Sequence, residues 1–146
     1  MSDNAMIATM SEAVSLSIHH EIETFLYREA RLIDTDCSRE WLEEMVDKDI
    51  TYQVLNRQLR LRKDTNASGP SENYIYDDNY SILDLRIKQF ETGLQWRADP
   101  PENLRHFVTN IEAYCGDVEG EYKVYSNCIV CRNRRIYEEN TFYYGR

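Results

Sequence analysis

A surplus of positive charge is the first thing this sequence lacks. Its 146 residues carry 17 Lys and Arg against 26 Asp and Glu, a formal net charge of −9. A phosphate-binding surface needs a basic stripe, because phosphate contacts carry much of the affinity, so nucleic acid is not an expected partner. The short basic clusters, Arg57 to Lys63 and Arg132 to Arg135, read as solvated faces or an interface rim. Also missing is any run near the roughly 20 apolar residues that span a bilayer. Met1 to Ala13 lacks the basic-then-apolar order of a secretory signal. The expectation is therefore a cytoplasmic protein with no membrane partner, its cysteines held as thiols. One C-x-x-C occurs, Cys128 to Cys131, without a second pair, and on a strand that offset puts the thiols on opposite faces. There is no G-x-G-x-x-G, no G-x-x-x-x-G-K-[ST], no H-E-x-x-H and no G-x-S-x-G. Nucleotide binding and zinc hydrolysis drop out as leading functions.

What is present is organised around Pro100 to Arg135. The stretch reads as two strands of about ten residues each, long enough for a strongly twisted, curved sheet. Phe107, Val108 and Ile111 supply apolar side chains in the first arm, and Tyr122, Val124, Cys128 and Val130 in the second. Gly116 and Gly120 bracket Asp117-Val118-Glu119, a composition that turns a hairpin. Thr141 to Tyr144 alternates as a further strand and would leave an aromatic edge that needs cover.

Upstream, residues 1–15 show no periodicity and read as a flexible tail; residues 16–146 read as a single domain. Ile18, Ile22, Phe25, Leu26, Ala30 and Ile33 recur at helical spacing behind a cap at Ser17, and Asp34-Thr35-Asp36 ends that helix. Ser38 caps a second helix with Trp41, Leu42, Met45 and Val46 inward. Ile50, Tyr52 and Val54 alternate in a strand, Leu59 and Leu61 in another, and Lys63 to Tyr74 reads as a long loop. A third helix, capped by Asp77 or Asp78, buries Ile82, Leu83, Leu85, Ile87 and Phe90, and Gly93 stops it. Helices segregated against a mainly antiparallel sheet make an α+β fold, expected as a cone closed partly around a core.

His106 is the one candidate for chemistry. A strand histidine facing into a cone can act as a general base when a carboxylate fixes its tautomer. Asp34 and Asp36 are the carboxylates expected to approach, with Tyr52 as a proton donor, a set suited to a stand-alone dehydratase or isomerase. The competing reading is a histidine hydrogen-bonded within a packed interface or core. His19 and His20 diverge on their helix and form no ligand pair. Eleven tyrosines in the chain, many of them on strands, suit a face that meets another protein.

These blocks, taken in order, resemble the small, or beta, subunit of bacterial aromatic-ring-hydroxylating dioxygenases, the Rieske non-haem iron oxygenases. The resemblance runs through Glu21 to Asp34, Trp41-Leu42, Asp49-Ile50-x-Tyr52 and Tyr76-Asp77-Asp78. It continues in Leu83-x-Leu85-Arg86-Ile87, Thr92-Gly93-Leu94-x-Trp96 and Asp99-Pro100-Pro101. Leu104-Arg105-His106-Phe107-Val108-Thr109-Asn110-Ile111, Tyr125-Ser126-Asn127-Cys128-x-Val130 and Gly145-Arg146 complete it. It implies the cone-shaped fold of nuclear transport factor 2, with N-terminal helices on a strongly curved sheet. Set against that resemblance, the domain is expected to lack the end of the family's C-terminal strand region, beyond Arg146.

The resemblance further implies a structural and assembly role in a complex that converts an aromatic compound, O2 and NAD(P)H-derived electrons to a cis-dihydrodiol. The implied partner is a large alpha subunit in an α3β3 assembly, carrying a Rieske [2Fe–2S] cluster and a mononuclear iron, with a ferredoxin or reductase beyond it. This chain is expected to hold no catalytic residue, cofactor or metal of its own. A Rieske centre takes paired cysteines and histidines, and the sequence offers no such pairing. The expected subunit contacts are Arg105, His106, Tyr125, Asn127, Arg132, Arg134, Tyr143 and Arg146. A small-molecule-binding or scaffolding protein of the same fold is the remaining alternative.

Overall fold

The computed structural model describes residues 12–55, 74–94, 103–134 and 139–146, less the side chains of Arg134 and Glu139. The strand expected at Leu59 and Leu61, nearly all of the Lys63 to Tyr74 loop, Trp96 and Asp99-Pro100-Pro101 lie outside these residues. The chain packs as two compact units, one of residues 38–100 and one of residues 1–37 with 101–146.

The unit of residues 38–100 contains α2 (Ser38–Met45), β1 (Thr51–Leu55), β2 (Tyr74–Asn79) and α3 (Tyr80–Glu91), α1 belonging to the other unit. Its core joins Leu42, fully buried, to Leu83 and Ile87, with Trp41, Val46, Ile50, Tyr52 and Tyr80 packed around them. Burying such side chains is worth roughly 1.5–3 kcal/mol each. The expected alternation in β1 is present, with Tyr52 and Val54 half-buried and Thr51, Gln53 and Leu55 exposed. Of the side chains expected to be buried on α3, Ile82, Leu85 and Phe90 are instead exposed.

Asp77 and Asp78 do not cap α3. They end β2, which pairs antiparallel with β1, and Asn79 makes the cap by accepting the Ile82 N–H at 3.1 Å. Asp78 is buried and takes two hydrogen bonds from the Arg86 guanidinium, at 2.6 and 3.1 Å. Gly93, at φ +63, lies just beyond the end of α3 in the left-handed region that glycine tolerates. Arg39 on α2 donates to Asp84 at 2.6 Å and to both oxygens of Glu91 at 2.9 Å, clasping the two helices.

The other unit contains α1 (Leu16–Asp34), β3 (Asn103–Cys115), β4 (Tyr122–Arg134) and β5 (Glu139–Gly145), an antiparallel sheet in the order β3-β4-β5. The cap of α1 is Ser15, two residues before the expected Ser17; its hydroxyl accepts the Ile18 N–H at 3.4 Å. The hairpin closes at Gly116, whose N–H donates to the Glu121 carbonyl at 2.7 Å. A Cβ at Gly116 would lie 2.8 Å from that carbonyl oxygen, so the turn needs glycine there. Residues 12–14 are bound to the outer edge of β3: Val14 N–H donates to Ala113 O, and Cys115 N–H to Glu12 O.

The expected cone of one strongly curved sheet is corrected. The described strands form two separate antiparallel sheets, of two and three strands, and the larger is not strongly curved. β1 and β2 satisfy each other rather than extending the main hairpin. In the hairpin, the irregularity is concentrated in one register shift between Thr109 and Glu112, where Asn110 takes φ +52. Strand length permitted a cone; the pairing partners, which length does not determine, decided against it.

Candidate functional site

Asp34 is the last residue of α1, where a carboxylate meets the negative end of the helix dipole. Its position is explained by what it receives. The His106 main-chain N–H lies 3.1 Å from each Asp34 oxygen, and His106 Nδ1 lies 2.7 Å from Oδ1. The Asp34 side chain is 4% exposed, so both charge and hydrogen-bonding capacity are taken up locally. A carboxylate at Nδ1 favours the tautomer with its proton there, leaving the lone pair on Nε2. Arg105 stands at 3.7 Å from Asp34 Oδ2 with a side chain 68% exposed, a loose contact that leaves most of the guanidinium to solvent. Asp34 thus acts as a cap on the outer edge of β3.

The remaining expected partners of His106 are placed differently. Asp36 is exposed, at φ +60 in the turn after α1. Tyr52 belongs to the other unit, packed edge-on to Trp41 at 6.4 Å. All three histidines and all four cysteines are described. Among the described residues no group of three or more His, Cys, Asp or Glu side chains is placed to hold a metal ion.

Directly opposed strand residues share a face, so the register sorts the expected contact residues. One face carries rows Asn103–Asn133–Asn140, Arg105–Cys131–Phe142 and Phe107–Ile129–Tyr144. Phe107, Ile129, Phe142 and Tyr144 are all large exposed apolar side chains. Asn127, opposite Thr109, belongs to this face. Tyr125 opposes Glu112, and Arg146 reaches Glu112 at 3.2 Å with its guanidinium 5.9 Å from the Tyr125 ring centre. The other face carries His106, Arg132 and Tyr143; Arg132 donates to the Tyr143 hydroxyl at 3.3 Å. The Arg134 side chain lies outside the described residues.

Cys128 also faces inward, half-buried, whereas Cys131 is on the outward rows. Burial, then the charges of Asp34 and Glu29, push the Cys128 thiol above its ordinary pKa. The sequence reading lists Phe107 with Val108 and Ile111 as apolar side chains of the first arm without separating their faces; Phe107 is exposed and Val108 half-buried. It misses the outward grouping of Phe107 with Ile129, Phe142 and Tyr144. The signal was available in the strict alternation of Asn103, Arg105, Phe107 and Thr109 against Leu104, His106 and Val108.

Comparison with known proteins points the same way. A protein family described as ring hydroxylating beta subunit matches residues 28–146. The 3-phenylpropionate/cinnamic acid dioxygenase subunit beta of Photorhabdus laumondii is 33% identical over 144 residues, 97% of this chain and 78% of that protein. A solved naphthalene 1,2-dioxygenase with indole in its active site superposes with a TM-score of 0.80 at 27% identity, over 90% of this chain and 68% of that one. The benzoate 1,2-dioxygenase beta subunit of Burkholderia mallei shares the fold, with a TM-score of 0.65 at 23% identity, over 92% of this chain and 77% of that one.

Proposed function

The chain belongs to the ring-hydroxylating dioxygenase beta subunit family, and from that premise we propose that it builds and stabilises the complex around a larger catalytic subunit. The observation that carries this reading is the continuous family match from residue 28 to residue 146, which includes every strand of the larger sheet. The reaction of the complex adds both atoms of O2 to an aromatic ring, giving a cis-dihydrodiol, with electrons drawn from NAD(P)H through a reductase or ferredoxin. The large subunit supplies the Rieske cluster and the mononuclear iron at which O2 is used. The residues of this chain contribute shape and contacts: Asp34 closes the sheet edge, and the outward rows of β3, β4 and β5 offer a surface to meet another subunit. The assembly proposed is α3β3, and the place of action is the cytoplasm. Among the described residues no helix is long and apolar enough to cross a membrane.

The test is co-expression with the large subunit. The two chains are expected to elute together, with iron and ring-hydroxylating activity in the joint peak; separate elution, each chain folded, would refute the reading. The short His106–Asp34 contact favours a second reading, in which this chain alone uses His106 as a base. That reading requires turnover by the isolated chain, lost in His106→Asn with folding intact. The main-chain bonds of His106 to the same carboxylate support the structural role instead.

A further inference from the structure

We propose that residues 12–14 form a strap that opens and closes over the hairpin end of β3 while α1 stays docked, offering and withdrawing that stretch of sheet edge. The proposal does not depend on the subunit reading above. A strand at the edge of a sheet presents unpaired N–H and C=O groups along its outer side. Among the described residues, four such groups of β3 have partners elsewhere in the chain. The Cys115 N–H donates to the Glu12 carbonyl at 2.8 Å, and the Ala113 carbonyl accepts the Val14 N–H at 3.3 Å, on either side of an antiparallel bridge between Ala13 and Tyr114. Further along, the Ile111 carbonyl accepts from His19 Nε2 at 3.2 Å, and the His106 N–H donates to Asp34 at 3.1 Å.

The two halves of this edge are held by different means. His19 and Asp34 reach β3 as side chains from the first and last turns of α1, a helix of 19 residues, and Asp34 is buried against His106. Freeing either bond means moving the helix. The strap has no such backing. It bonds β3 through main-chain groups alone, Glu12 and Ala13 are exposed, and Val14 is half-buried. Each ordered residue gives up backbone freedom, and two hydrogen bonds with little buried apolar surface barely offset that loss for three residues. Ser15 is where the strap can part from the helix. Its backbone is extended, at φ −63 and ψ 157, and its hydroxyl accepts the Ile18 N–H within α1, a bond that opening of residues 12–14 leaves in place. Opening there frees the Cys115 N–H and the Ala113 carbonyl together, while the Ile111 carbonyl and the His106 N–H stay covered. The closed strap is an autoinhibitory contact: it fills with the chain's own backbone the place beside β3 that any other strand would take.

Amide hydrogen exchange on the full chain tests this, followed residue by residue in wild type, Val14→Pro and Val14→Gly across about 0 to 1 M urea. Corrected for intrinsic rates, the Cys115 amide is expected to exchange roughly tenfold or more faster than the His106 amide. Its rate should stay flat with urea, because opening a three-residue strap exposes little surface. The His106 rate should climb with urea, since that bond breaks only when α1 leaves the sheet. Val14→Pro removes the donor to Ala113, and Val14→Gly adds backbone freedom to the strap. Each is expected to quicken Cys115 exchange severalfold and to leave His106 exchange and the melting temperature unchanged. Should Val14→Pro fold poorly, Val14→Gly keeps the N–H and carries the comparison. Cys115 exchange as slow as that of His106, or rising with urea in parallel with it, would overturn the strap, because residues 12–14 would then open only with the helix. Equal quickening of Cys115 and His106 in a folded variant would overturn it as well.

Discussion

The two outer edges of the β3-β4-β5 sheet are finished in opposite ways. Along β3, residues 12–14 bond Ala113 and Cys115, His19 Nε2–H donates to the Ile111 carbonyl at 3.2 Å, and Asp34 receives the His106 N–H. Groups from three separate places in the chain cover that edge. Along β5, whose inner side pairs with β4, no such cover is found among the described residues, and Phe142 and Tyr144 are exposed. An unpaired, apolar edge templates association with another chain unless something blunts it. Among the described residues the cover of this sheet is one-sided: β3 is closed from within the chain, and β5 carries no comparable cover.

Breaking the closed edge should have the largest effect. Asp34→Ala leaves the His106 N–H without its acceptor and removes the buried partner of the ring, at a cost of about 3 kcal/mol. Urea unfolding should show the loss, and the His106 amide should exchange faster with solvent. Next comes His19→Ala, which removes one hydrogen bond at the middle of that edge. About 1 kcal/mol is expected, and a thermal melt indistinguishable from wild type would show that the bond adds nothing.

The open edge should respond in the contrary sense. Phe142→Lys together with Tyr144→Lys is expected to change stability by no more than about 0.5 kcal/mol, while concentration-dependent self-association in light scattering falls. A loss of several kcal/mol would mean that those rings are packed rather than exposed. The smallest effect concerns Cys128, whose raised pKa comes from burial first and then from Asp34 and Glu29. A thiol with a raised folded pKa contributes stability below its unfolded value, near pH 8.5, and loses it as pH rises through the folded value. Stability should therefore sag on the alkaline side, and Cys128→Ser should remove that part of the slope. Alkylation of Cys128 at pH 8 should be slow and should quicken in Asp34→Asn.

The hairpin was legible because its signals are local. Gly116 and Gly120 mark the turn, and apolar residues run along both arms, features set within a few residues of chain. Leu42 at the centre of the smaller core was legible for the same reason, from its place on a helical stripe. Asp77 and Asp78 misled because acidic residues before an apolar run read as a cap; Tyr74, Ile75 and Tyr76 pull them into a strand, and the cap falls to Asn79. The curvature of the sheet was misjudged because pairing is non-local: strand length is written in β3, but β1 and β2 choosing each other is not. The Asp34–His106 contact spans 72 residues of chain and was named only as one of several pairings. A carboxylate on the last turn of a helix, against the dipole, was the local hint that it serves something outside that helix.

The irregularity at Asn110 has one more consequence, for how this strand can change in length. A strand presents alternate residues to alternate sides, and the extra residue between Thr109 and Glu112 resets that alternation midway along β3. It is what allows Phe107 and Tyr114 to look out of the sheet on the same side although an odd number of positions separates them. Removing Asn110 alone would restore a regular strand in which Phe107 and Tyr114, then an even number of positions apart, still share a side, with the local kink and added twist lost. A single-residue deletion at this point therefore leaves the facing of both halves unchanged, whereas one in a regularly paired part of β3 would turn every residue on one side of it to the opposite face.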